Sequence, residues 1–107
     1  MTDETAAFGL RHAVEGTTAT FNLSGELDTS AARAVDRAID EVIAGGATSL
    51  VFDLEQISFI DSSGLRSLIR ARQQLGDGAD SVQLRNPQPS TMRLLEITGL
   101  QDQFRLV

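Results

Sequence analysis

Apolar residues recur along the chain with two different periods, and each change of period marks an element. Residues 8–14 and 18–23 read as strands. Phe21 and Leu23 alternate with Asn22 and Ser24, the spacing of two that gives a strand one dry and one wet face. Glu15-Gly16 predicts a hairpin turn between the two strands. Gly25-Glu26-Leu27-Asp28 breaks the alternation. Ala32, Val35, Ile39 and Val42 then fall at helical spacing, with Arg33, Asp36, Arg37, Asp40 and Glu41 mostly on the other side. Asp28, Thr29 and Ser30 are each able to cap this helix, and Gly45-Gly46 ends it.

Leu50-Val51-Phe52-Asp53-Leu54 is a nearly continuous apolar run, the pattern of a strand in a parallel sheet buried on both faces. A strand, a helix and a strand in that order imply a right-handed crossover. Residues 55–58 read as a connection, and Phe59-Ile60 lead into a corner at Asp61. A second helix is expected over residues 62–75, with Leu65, Leu68, Ile69 and the aliphatic stem of Arg72 on one face and Gly76-Asp77-Gly78 as its stop. Residues 81–85 form a further strand, and residues 86–89 form a loop. Ser90 or Thr91 is the expected cap of a third helix running to Thr98. Gly99 then fits the C′ position, and Leu100 would fold back on Leu95 in a Schellman ending. Residues 104–107 make a short strand or coil, and the polar residues 1–6 fray. No repeat or linker interrupts this order. The pattern is that of one α/β domain with a mixed sheet.

Composition narrows the chemistry. The chain has 107 residues, 41% of them hydrophobic, enough for a single buried core. It has no apolar run near the length of a membrane span. The acidic start, Met1-Thr2-Asp3-Glu4, differs from a secretory signal, so the cytoplasm is the expected compartment. A net charge of −6 argues against nucleic acid and anionic membrane as partners. Cysteine is absent, which removes disulfides and thiolate metal sites. Every basic residue is arginine. Without lysine there is no Walker A loop, no Ser-Lys dyad and no Schiff-base chemistry. His12 is the only histidine, so no two-histidine metal site can be built. No metal or cofactor is expected.

The chemistry concentrates in Ile60-Asp61-Ser62-Ser63-Gly64-Leu65-Arg66, where an acid and two serines turn a strand into a helix. A helix N-terminus presents unpaired N–H groups and roughly half a positive charge. A hydroxyl there is able to cap the helix, act as a nucleophile or receive a phosphate. Capping is the ordinary role of serine and aspartate at this position, and it applies equally to Asp28. Catalysis lacks support. Asp-Ser-Ser-Gly is not the Gly-x-Ser-x-Gly elbow, and the lone histidine lies in the first strand, so a serine nucleophile has no base. Gly64 lowers helix propensity by about 1 kcal/mol relative to alanine and lets another group come close. Because loops at the carboxyl ends of parallel strands lie side by side, Asp28, Asp61, Ser62 and Ser63 are expected to share one rim.

Five stretches in register now carry a resemblance. They are Leu23-Ser24-Gly25-Glu26-Leu27-Asp28, Leu50-Val51-Phe52-Asp53-Leu54, Ile57-Ser58-Phe59-Ile60-Asp61-Ser62-Ser63-Gly64-Leu65, Asn86-Pro87 and Leu94-Leu95-Glu96-Ile97-Thr98-Gly99-Leu100. Together, over nearly the whole chain, they resemble the STAS domain in its stand-alone form as an anti-sigma factor antagonist. The resemblance implies a small mixed sheet of four to five strands with helices packed mainly on one face. It implies a non-enzymatic regulator that binds an anti-sigma factor serine kinase, thereby freeing a sigma factor, and that is switched off by phosphorylation and reset by a PP2C-type phosphatase. By position, Ser62 is the implied phosphoacceptor, and Asp28, Asp61, Ser62, Ser63, Gly64 and Arg66 the implied partner contacts. Arg66 stands where many members have a small residue. The rival readings are a STAS module of another regulatory or transport-associated complex, and a nucleotide-binding STAS domain.

Overall fold

The computed structural model describes residues 8–76 and 81–107. An antiparallel hairpin comes first, with β1 (Gly9–Glu15) paired to β2 (Thr18–Leu27). Three strand-helix-strand crossovers follow, through α1 (Thr29–Ala44), β3 (Ser49–Ile60), α2 (Ser62–Leu75), β4 (Val82–Arg85), α3 (Pro89–Thr98) and β5 (Arg105–Leu106). A 3-10 turn at Gln101–Gln103 precedes β5. The strands form one mixed sheet in sequence order, antiparallel at β1-β2 and parallel at every later pair.

All three crossovers step in the same direction across this sheet. Right-handed connections that advance together lay their helices on one face, and the core has that geometry. Ala19, Leu50 and Val82 stand in register across the middle strands, as do Phe21, Phe52 and Leu84, and all six are buried. The same cluster takes Val35 and Ile39 from α1, Leu65, Leu68 and Ala71 from α2, and Leu95 from α3. Phe21 and Phe52 stack with ring centroids 4.9 Å apart, worth about 0.5–1.5 kcal/mol beyond their burial. On the other face the register row is Arg11, Asn22, Asp53 and Arg85, all polar, which leaves that side for water. The α/β class, the mixed sheet and the one-sided packing are as expected, with five strands.

Three expectations need correction. Residues 55–58 are not a connection: β3 is one strand of 12 residues. Correspondingly, β2 does not end at Leu23. Its tail stays in the sheet, with Ser24 opposite Gln56, Gly25 opposite Ile57, Glu26 opposite Phe59 and Leu27 opposite Ile60. The ladder shifts register twice here, and Gly25 takes φ 87°, a conformation that costs glycine little. Glu55, Gln56 and Ser58 looked like a loop because they are exposed while Ile57 between them is buried. The third helix is capped by neither Ser90 nor Thr91. It starts at Pro89, so its cap position is Gln88, two residues before Ser90, and Gln88 makes no side-chain cap. Proline's fixed φ and missing N–H suit that first position, and Thr91 is buried.

The helix ends follow their sequence signals. Gly99 is left-handed at φ 71°, its N–H donates to Glu96 O at 3.1 Å, and Leu100 N–H reaches back to Leu95 O at 2.9 Å. These are the two bonds of a Schellman ending. Gly76 closes α2 in the same left-handed region; Asp77 and Gly78 lie outside the described residues, as do residues 1–6.

Candidate functional site

Two corners meet at the carboxyl ends of β2 and β3. Because the strands are parallel and Leu27 pairs with Ile60, the turns into α1 and α2 lie side by side. Asp61 N–H donates to Leu27 O at 3.3 Å, and the Thr29 and Ser63 hydroxyls are 3.1 Å apart. The corners are thus joined through backbone and side chains.

Each corner is closed by an aspartate. Asp28 Oδ1 accepts from Ala31 N–H at 3.0 Å and caps α1. Asp61 Oδ1 accepts from both Ser63 N–H at 2.9 Å and Gly64 N–H at 3.1 Å and caps α2. Both acids are half-buried. Capping is therefore done by the acids and not by the serines, which frees the serine hydroxyls for other work.

The two serines differ. Ser63 is half-buried, with its hydroxyl held against Thr29. Ser62 is exposed at the first position of α2, and among the described residues its hydroxyl has no hydrogen-bond partner. Gly64 is buried and serves the corner from within. A Cβ there would meet Leu27 O and Leu27 Cγ at 2.6 Å and Ile60 Cγ1 at 3.0 Å. The missing side chain is what lets the first turn of α2 sit on the end of β2. Leu65, next in line, points into the core.

Arg66 is exposed on the flank of α2. It lines a shallow groove of about 190 Å³ between α1 and α2, with Thr29, Arg33, Asp36, Ser63 and Arg70 among its neighbours. Arg70 is taken by α1: it lies 3.0 Å from Asp40 Oδ1 and 3.5 Å from Asp36 Oδ1. Arg33 and Arg66 make no ion pair among the described residues. Thr29 and Arg33 are contributors that the sequence did not single out as contacts. Thr29 was visible only as an alternative cap, and Arg33 only as a residue of a polar helix face.

His12 sits elsewhere. It pairs with Phe21 across the hairpin, ring centroids 5.4 Å apart. From Phe21 to Leu27 is six residues of strand, roughly 20 Å at about 3.3 Å per residue. His12 is therefore out of reach of either serine as a general base.

This fold is matched by known proteins. The STAS domain family matches residues 11–107. The chain belongs to that family. Among curated relatives, this STAS domain is 35% identical to the anti-sigma-F factor antagonist RsfB of Mycobacterium tuberculosis over 89 residues, which span 82% of this chain and 71% of the relative. Among solved structures, an anti-sigma factor antagonist from Mycobacterium paratuberculosis superposes with a TM-score of 0.81 at 28% identity, covering 94% of this chain and 86% of that one. The antagonist SpoIIAA in its unphosphorylated form gives 0.78 at 30% identity, with 94% and 88% covered. The phosphorylated form of this Bacillus protein gives 0.72 at 28% identity, with 94% and 91% covered. The STAS domain described here therefore stands with the anti-sigma factor antagonists, a family of regulators of sigma factors. Among the described residues, no helix is long and apolar enough to cross a membrane.

Proposed function

We propose that this STAS domain, in its unphosphorylated state, binds an anti-sigma factor serine kinase in the cytoplasm and so releases a sigma factor. Phosphorylation of Ser62 ends that binding, and a PP2C-type phosphatase restores it. Asp28, Asp61, Ser62, Ser63 and Arg66 line the contact, with Gly64 supporting it from below. The chain itself performs no catalysis.

The observation that carries this reading is the contrast between two neighbouring hydroxyls. Ser62 is exposed and unengaged, whereas Ser63 is half-buried and held by Thr29. A kinase must bring the acceptor hydroxyl into its own active site, and only Ser62 is free to go. Phosphorylation adds a charge of about −1.5 to −2 at a rim that already carries Asp28 and Asp61. A partner face fitted to a small neutral hydroxyl would then meet a bulky, strongly hydrated anion, and such mismatches cost about 2–5 kcal/mol. The switch needs no refolding, only local electrostatics at a contact. That a relative, SpoIIAA, has been solved in a phosphorylated and an unphosphorylated form supports the same reading.

The test is to incubate the chain with candidate kinases and ATP and to map the modified residue by mass spectrometry. Ser62→Ala should bind the kinase and resist modification, and Ser62→Asp should bind at least tenfold more weakly. Full-stoichiometry phosphorylation of the Ser62→Ala chain would sink the assignment.

A further inference from the structure

An N-terminal helix end normally offers its free amides to a phosphate, but here that place is taken. Asp61 Oδ1 already accepts from the Ser63 and Gly64 amides, and Asp61 O accepts from Leu65 N–H. A phosphoryl group on Ser62 would meet a carboxylate where it would otherwise find donors. Asp28 lies on the same rim, so the phosphate has two acids behind it. It must turn outward, along the flank of α2.

The flank it turns toward carries Arg66. Residues 62 and 66 are four apart on one helix and so stand on one stripe, with Cβ atoms about 5–6 Å apart. Arg66 is exposed and is without an ion pair among the described residues. It faces the groove between α1 and α2. Arg33 enters the same groove from the opposite helix, also exposed and unpaired. The third arginine there is already taken, since Asp36 and Asp40 both hold Arg70. Arg66, one helical turn from Ser62 at the edge of the groove, and Arg33, across the groove from Arg66, thus remain without an ion pair among the described residues. Guanidinium and phosphate pair through two parallel hydrogen bonds.

Resting on the reading of Ser62 as phosphoacceptor, we propose that the α1/α2 groove is a phosphomonoester site: Arg66 clasps the phosphoryl group of phospho-Ser62 from one helical turn away, with Arg33 as the facing cation. The unphosphorylated chain leaves both arginines free for an acidic surface of the kinase. The phosphorylated chain takes them for itself, so one modification removes a neutral hydroxyl and two cations from the contact.

The test uses the full chain with phosphoserine installed at position 62 by genetic encoding, which needs no kinase. Phosphorus NMR follows the second ionisation of the phosphate, ordinarily near pH 6. Arg66 favours the dianion, so the midpoint in the native background should lie about half a pH unit or more below that of Arg66→Ala. Arg66→Lys should fall between them, and Arg33→Ala should shift the midpoint upward by less than Arg66→Ala does. Asp28 and Asp61 push the midpoint up equally in every variant, so the differences report the arginines. Thermal unfolding of the unphosphorylated variants checks that each is folded. Coincident midpoints in the native and Arg66→Ala backgrounds would overturn the clasp. The functional reading fails separately, if no kinase modifies Ser62 in a chain whose phosphoserine form still shows the shift.

Discussion

At the scale of single residues, the corner turns on atoms that are absent as much as on those present. Gly64 occupies a helical position where alanine would ordinarily be favoured by about 1 kcal/mol. The added methyl would have to sit 2.6 Å from a backbone oxygen of β2, and backbone cannot swing aside as a side-chain end can. Overpacking of a tight site costs about 1–3 kcal/mol, so the clash outweighs the propensity gain. Gly64→Ala should therefore lower the free energy of unfolding by up to about 2 kcal/mol in urea denaturation, the clash less the propensity gain. A stability raised by the full propensity gain of about 1 kcal/mol would mean that the added methyl meets nothing. The sequence marked this glycine as a place of close approach. It did not say that the approaching group is Leu27 from inside and not a partner from outside, because burial depends on which strand end lies behind the helix.

At the scale of elements, the caps and the proposed phosphoacceptor form one device. Asp61 satisfies two amides of α2, and its carboxylate fixes where the first turn begins and hence where Ser62 points. Removing such a cap costs about 0.5–2 kcal/mol, whereas asparagine caps about as well as aspartate. Asp61→Ala should destabilise the fold by about 1 kcal/mol and slow phosphorylation of Ser62 severalfold, because the first turn frays. Asp61→Asn should keep the stability and separate the cap from the charge: if the negative charge at position 61 itself matters to the kinase, phosphorylation falls with no loss in denaturation midpoint. Equal phosphorylation rates in native, Asp61→Ala and Asp61→Asn chains would show that α2's start does not position the acceptor.

The cap positions were legible in the sequence only as a choice, Asp28 beside Thr29 and Ser30 and Asp61 beside its serines, because each of these polar side chains stands at the start of an apolar-periodic run; the Gly99-Leu100 ending was legible from its glycine alone. The full length of β3 was not. Glu55, Gln56 and Ser58 carry polar side chains, and only their pairing with the tail of β2, about thirty residues earlier, keeps them in the sheet. Long-range pairing leaves no local mark when both faces of the segment look wet. The start of α3 was missed for a related reason. Gln88 makes no side-chain cap, so the cap-forming hydroxyls of Ser90 and Thr91 are the stronger local signal and outweigh Pro89.

At the scale of the whole molecule, the proposed switch sits outside the structure's load path. The core is a single cluster on one side of the sheet, centred on Phe21, Phe52 and Leu84, and Ser62 contributes nothing to it. Small domains are stable by about 5–15 kcal/mol, and deleting a buried phenyl ring removes about 3–5 of that. An exposed substitution away from caps and ion pairs stays within about 0.5 kcal/mol. Phe52→Ala should thus lower the midpoint of the unfolding transition markedly, by about 3–5 kcal/mol of stability, while Ser62→Asp should leave it nearly where it was. In the phosphorylated chain, amide chemical shifts should move at the two corners and along α1 and α2 beside the groove, and stay put in β1, β4 and β5. The contrast matters because a partner-binding loss in Ser62→Asp is interpretable only if the fold is intact. Were the phosphorylated chain instead to show shifts spread through the core strands, or a markedly lower denaturation midpoint, the charge would be acting by loosening the domain, and local repulsion at the rim would not be the mechanism of release.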